Sequence, residues 1–157
     1  MHRLLLSIAL GAALASTAFA QTAVQPDLSG TWKLNLAKSK LDKHNTIASE
    51  TITITSKDAT IEFHDTTDGK EHAHAYISDG KERQLADVKV GYVVEKAKWK
   101  KSVLVIETSG RASASIGVGG SQLWVTTERW TLSADGRTLK QDSEGFDTRQ
   151  TFVYDKQ

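Results

Sequence analysis

Three histidines lie close together in this chain. They are His64, His72 and His74, with Glu62 beside them. Asp68-Gly69 stands midway between the two halves of the group, and Asp-Gly is a strong turn signal. A three-residue loop, Thr67-Asp68-Gly69, pairs His64 with His72 and Glu62 with His74 across a hairpin. Imidazoles facing each other across a strand pair are close enough to share Zn²⁺ or Cu²⁺. In that register the opposite face holds Ile61, Phe63, Ala73, Ala75 and Ile77. The apolar face belongs to the core, so the histidines are expected to face water as solvated side chains, with a metal site as the sharper alternative. A one-residue slip in the loop would exchange the two faces.

Other chemistries find less support. Glu128 shares a period-2 face with Trp124, Trp130 and Leu132, which aims it inward. A buried carboxylate needs a partner or a proton, so Glu128 is either partnered by a neighbouring cation or a polar anchor for a ligand. Tyr92, with Val90 and Val94, and the pair Trp124 and Trp130 are candidates for lining an interior space. There is no Gly-x-Ser-x-Gly. The look-alike Val118-Gly119-Gly120-Ser121 has no strand-to-helix context, and it also lacks the Lys of a phosphate loop. The chain has no Cys. That excludes disulfides, thiolate catalysis and Cys-bound metals. No cofactor is implied.

The elements that must position these residues read as strands. Thr51-Ile52-Thr53-Ile54-Thr55 and Thr60-Ile61-Glu62-Phe63 alternate strictly, the signature of half-buried strands. Further runs are Thr31–Leu36, Glu71–Ile77, Glu82–Val88, Val90–Trp99, Val103–Thr108, Leu123–Leu132, Thr138–Asp142 and Thr148–Tyr154. Asp68-Gly69, Asp79-Gly80 and Asp135-Gly136 punctuate them as hairpin signals. No amphipathic helix and no repeat is present, and residues 37–48 form a charged connector. Consecutive strands without crossover-length links predict an all-β fold, a single antiparallel up-and-down β-barrel of about 8–10 strands, because closure removes exposed edges. A sandwich is the alternative. Residues 110–120 are a Gly-rich surface loop.

The chain has 157 residues, with 20 Lys and Arg against 19 Asp and Glu. A net charge of +1 gives no electrostatic reason to expect nucleic acid as a partner. Residues 1–20 read as a bacterial secretory signal peptide: a basic start at Arg3, an apolar stretch over Leu4–Leu14 and the cleavage pattern Ala18-Phe19-Ala20. The apolar stretch falls short of the roughly 20 residues of a membrane span. Residues 21–29 are then a polar leader and 30–157 the barrel domain, periplasmic or secreted and not inserted in a membrane. An outer-membrane barrel is disfavoured, because one face of most strands carries Thr, Lys, Glu, His or Asp.

Leu28-Ser29-Gly30-Thr31-Trp32-Lys33-Leu34 resembles the opening of the lipocalins, in which Gly-x-Trp begins the first strand. The whole chain is similar to uncharacterised secreted bacterial lipocalin-like proteins through Gly30–Asn35, the Trp99 strand and residues 128–136. Gly-Thr-Trp-Lys-Leu also resembles, more weakly, the opening of the fatty-acid-binding proteins. The lipocalin resemblance implies that Trp32 closes the narrow end of a barrel under a basic residue near the last strand. Arg149 is the candidate partner, and Arg129 the second. The carboxylate clamp of fatty-acid-binding proteins, an Arg and a Tyr two apart, has no counterpart: Arg149 and Tyr154 are five apart. Their helical lid does not fit in residues 37–48 either.

These readings converge on a non-enzymatic carrier. An exported lipocalin-like barrel would hold a small, mostly apolar molecule, with Tyr92, Trp124, Glu128 and Trp130 as candidate ligand contacts. One alternative is a filled barrel acting as an interaction or inhibitor module towards an unknown protein partner. The second is a small cavity-based enzyme.

Overall fold

The computed structural model describes residues 25–85, 92–112, 122–145 and 147–157. Residues 1–20, which the sequence reads as a signal peptide, most of 21–29, most of the Gly-rich loop, Val90 and Phe146 lie outside the described residues. Ten strands follow one another: β1 (Gly30–Leu34), β2 (Glu50–Lys57), β3 (Thr60–Thr67), β4 (Lys70–Ile77), β5 (Arg83–Gln84), β6 (Tyr92–Lys100), β7 (Val103–Ala112), β8 (Gln122–Leu132), β9 (Thr138–Gly145) and β10 (Thr148–Lys156). They form one sheet in the order β4-β3-β2-β1-β10-β9-β8-β7-β6-β5, and every neighbouring pair is antiparallel. The protein is an all-β up-and-down barrel.

The first and last strands join, with Trp32 opposite Lys156 and Leu34 opposite Tyr154. The ladder is interrupted elsewhere, between β4 and β5, which are the two ends of the sheet. Asp79-Gly80 therefore does not make a hairpin between paired strands. It carries the chain across the base of this seam: Asp79 bridges Lys98, and the Gly80 amide donates to the Ala97 carbonyl at 2.9 Å.

Alternation decides what is buried. Trp32, Leu34, Ile52, Ile54, Ile61, Phe63, Leu104, Ile106, Trp130, Leu139 and Tyr154 form the core with Leu28. The base is dry: Leu28, Trp32, Leu104 and Leu139 are fully covered. Trp32 donates its indole N–H to the Leu28 carbonyl at 2.9 Å, which satisfies its one polar atom. Midway up, the two walls touch. The Phe63 ring lies 5.0 Å from that of Trp130 and 5.3 Å from that of Tyr76. Phe63 stands on β3 and Trp130 on β8, across the barrel, so this contact forms a waist.

The β3–β4 turn corrects the expected register. Thr67 pairs with Lys70, leaving a two-residue turn. Asp68 (φ 48°) and Gly69 (φ 80°) both take the left-handed conformation that a type I′ turn requires. His72 therefore faces Asp65, His74 faces Phe63, and His64 faces Ala73. A slip of one residue moves every β4 side chain to the other face. His72, His74 and Tyr76 point inward, while Ala73, Ala75 and Ile77 point out.

Candidate functional site in the barrel interior

Above the waist the inward face becomes polar. Glu50 opens β2 two residues before Ile52, so alternation turns it inward. It accepts hydrogen bonds from the Tyr154 hydroxyl at 2.7 Å and the Thr67 hydroxyl at 2.9 Å. Asp65 faces the same Thr67 hydroxyl at 3.1 Å and pairs with His72 Nδ1 at 3.1 Å. On the opposite wall, Glu128 Oε2 accepts from Trp130 Nε1 at 3.1 Å and from Gln141 Nε2 at 2.9 Å. Gln141 Oε1 lies 3.4 Å from the Tyr154 hydroxyl. These polar contacts line the wall from His72 on β4 to Trp130 on β8, with the Tyr154 hydrogen directed to Glu50 at the shorter distance.

A second pair stands at the seam. His74 Nε2 meets Glu95 Oε2 at 2.8 Å, and Glu95, 8 % exposed, is the one buried charged residue among the described residues. Glu95 pairs across the ladder with Arg83, whose guanidinium is held by both carboxylate oxygens of Asp79 at 2.9 and 2.8 Å. Burial pushes the Glu95 carboxyl above its ordinary value, although His74 and Arg83 pull it down. Burial likewise raises Glu128, against the bonds from Gln141 and Trp130. The Tyr154 phenol is pushed up by burial and by the Glu50 charge, and Tyr76 by burial and Glu128. Burial is the largest cause of all four shifts, and neighbouring carboxylates add to it for Glu128, Tyr76 and Tyr154.

The candidate residues separate into two groups. Glu128, Trp130 and Trp124 face the interior together, with the Trp124 ring lying against Gly110 of β7, where a Cβ would come within 2.8 Å of it. Tyr92 does not join them. It is half exposed and pairs with Arg111 on the outer face, because the inward positions of β6 are Glu95 and Ala97. His64 also lies on the outer face, opposite Thr53 of β2. The three histidines are thus divided between the two sides of the wall, which removes the expected cross-strand cluster. Among the described residues no three His, Asp or Glu side chains converge on a metal position.

The barrel-closing motif is corrected in one member. Trp32 sits at the base as the lipocalin resemblance implies, but Arg149 is not its partner. Alternation along β10 turns Arg149 outward, where it bonds Glu144 at 3.0 Å; Arg129 bonds the same carboxylate at 3.4 Å. The cation over Trp32 is Lys156, its Nζ 5.1 Å from the ring centre. Gly30 (φ 139°) makes room for it, since a Cβ there would stand 3.0 Å from Lys156 Cε.

Sequence reasoning did not single out Glu50, Asp65, Thr67, Glu95, Gln141 or Tyr154 as site residues. For Glu95 the signal was present: Glu95, Ala97 and Trp99 alternate with Lys96, Lys98 and Lys100. Glu50 was legible from Ile52 and Ile54 in the same way.

Fold and interior define an up-and-down barrel with a polar layer above an aromatic waist. No family model and no curated protein sequence matches the chain. Solved structures do. The chain is similar to the REP1-NXSQ fatty acid transporter (TM-score 0.57, 11 % identity, 83 % of this chain and 96 % of that one). It is also similar to fatty-acid-binding protein 1 of Echinococcus granulosus (0.54, 14 %, 82 % and 96 %). A third is the Schistosoma mansoni fatty acid binding protein, solved with arachidonic acid (0.57, 15 %, 83 % and 96 %). At these identities the likeness is one of fold. It reverses the order of the two resemblances, because lipocalin barrels have eight strands and this one has ten.

Proposed function

We propose that the chain is an exported, non-enzymatic carrier that holds a small, mostly apolar molecule in the mouth-side half of its barrel. One observation carries the reading. Inward side chains at the base are fully covered, whereas the inward Thr108, Trp124, Thr126, Gln141, Ser143 and Gln150 are only partly buried. Inward side chains above the waist are thus less covered than those at the base, and an interior lined there by aromatics with a few polar groups would suit such a ligand. The similar structures named for fatty acids support a lipid-like ligand. Residues 1–20 support export.

The polar end of the ligand is neutral rather than anionic. The inward positions of β10 are Gln150, Phe152 and Tyr154, and Tyr154 already donates to Glu50. Glu50, Asp65, Glu95 and Glu128 make the interior repel a carboxylate. The carrier therefore departs from the ligand chemistry named for its structural neighbours.

Native mass spectrometry of residues 21–157 purified from the native host tests the reading. A co-purifying neutral lipid is the expected result. A titration then compares a long-chain alcohol with the fatty acid of equal length, using displacement of Nile red. Tighter binding of the alcohol supports the reading. Failure to bind any apolar probe overturns it in favour of a filled interaction barrel, and tighter binding of the acid overturns the neutral-end assignment.

A further inference from the structure

Around most of the barrel, neighbouring strands exchange backbone hydrogen bonds. Opening the wall there would break a run of them, each worth about 0.5–1.5 kcal/mol net. The seam between β4 and β6 is different. At the base it is tied by the Asp79–Lys98 bridge and the Gly80 to Ala97 bond. Towards the mouth, β5 spans two residues and pairs with β6, not with β4. Lys70 to Ala75 are exposed along their whole length. The contact that spans the gap there, among the described residues, is His74 Nε2 to Glu95 Oε2 at 2.8 Å.

We propose that this seam is the route by which the interior loads, and that His74 and Glu95 are its latch. The proposal rests on the carrier reading above. The latch reaches from outside to inside: the His74 side chain is 41 % exposed and that of Glu95 9 %. It is also joined to the waist. The His74 ring packs 4.4 Å from Tyr76, and Tyr76 meets Phe63. Releasing His74 therefore frees the side chain that backs the aromatic contact, so seam and interior move together. On the β10 side the mouth is occupied by the connector instead. Lys40 bridges Thr151, Asn45 donates to Gln150 at 2.6 Å, and Asp68 holds the Ser49 amide at 2.7 Å. A side-chain latch is the weaker tie, since it can break without unpairing any strand.

The absence of cysteine makes a clean test. The double variant His74→Cys, Glu95→Cys is joined by a short bis-maleimide, and a control sample is capped with N-ethylmaleimide. Nile red association is followed by stopped flow, with end-point amplitude recorded separately. The cross-linked barrel is expected to load about tenfold more slowly than the capped one, a change equivalent to 1.4 kcal/mol, while the end-point amplitude is kept. The capped barrel is expected to load faster than the natural chain. Should the pair misfold, Glu95→Gln serves alone: on- and off-rates of Nile red should both rise. Equal loading rates for cross-linked and capped barrels, or for Glu95→Gln and the natural chain, overturn the latch while leaving the carrier reading intact. If the natural chain takes up no Nile red, the carrier reading falls, and the loading route falls with it.

Discussion

Phe63→Ala is the substitution that probes the waist most directly. Phe63 is 6 % exposed and meets Trp130 at 5.0 Å with a 55° tilt and Tyr76 edge-on at 5.3 Å and 89°. Truncating a buried Phe costs about 3–5 kcal/mol, part transfer energy and part cavity. The two aromatic contacts account for about 0.5–1.5 kcal/mol each of that loss. The surrounding side chains cannot collapse into the space easily, because each is held. Trp130 is tied to Glu128, and Tyr76 is packed on His74. The upper half of the range is therefore expected, about 4 kcal/mol. With a urea m-value of about 2 kcal/mol/M, the midpoint falls by about 2 M. Urea unfolding followed by Trp fluorescence measures this. Phe63→Leu, which keeps most of the volume, should recover much of the loss. A midpoint for Phe63→Ala within about 0.3 M of the natural chain would refute the waist: the two walls would then not bear on each other through this ring.

Further outcomes follow from the polar layer and the base. Tyr154→Phe removes the 2.7 Å bond to Glu50 and leaves that carboxylate with Thr67. A loss of about 1–3 kcal/mol by urea unfolding is expected, and no change would mean that water replaces the hydroxyl. Glu128 has a folded pKa above its unfolded value, so the native state binds the extra proton. Its contribution is thus most favourable in acid and is lost as pH rises from the ordinary carboxylate range through the raised value. Asp79, Asp135, Asp142 and Asp155 are lowered and act in the opposite sense, losing stability as pH falls. Glu128→Gln should therefore weaken only the upper part of this pH dependence, to which the raised Glu95 also contributes, and identical stability-against-pH curves would refute the burial argument. Lys156→Met deletes the cation over Trp32 and should cost about 0.5–1 kcal/mol, against about 3–5 kcal/mol for Trp32→Ala. Equal costs in thermal unfolding would mean that the cation, not the indole, closes the base.

Most of the strands were legible because each carries its own period. Thr51 to Thr55 can bury its isoleucines in only one way, and the barrel follows once such strands are joined by short turns. The seam was not legible. Whether β4 and β5 pair depends on where Asp79-Gly80 sends the chain, and an Asp-Gly turn reads the same whether it closes a hairpin or crosses a gap. The partner of Trp32 was misassigned for a related reason. A basic residue near the end of the chain is easy to find, but Arg149 and Lys156 lie on opposite faces of β10. Only the register, fixed by Trp32 opposite Lys156, decides between them.

The histidine hairpin shows what outweighs a hydropathy count. Ala73, Ala75 and Ile77 are the apolar set of β4, and an interior chosen by polarity alone would take them. The barrel takes His72, His74 and Tyr76 instead. Two alanines bury little area, whereas one tyrosine is a large apolar body with a polar tip. Tyr76 packs on Phe63, His74 finds Glu95 and His72 finds Asp65. One ring nitrogen of each histidine thus meets a carboxylate, which offsets part of the penalty for turning it inward. The turn agrees, since Asp-Gly in a type I′ geometry fixes two residues, not three. Local turn chemistry and long-range pairing therefore select the same register, and it places two histidines where an interior of carboxylates needs positive or donating partners. The polarity that hydropathy assigned to the surface is the property that makes this interior unlike a simple apolar pocket.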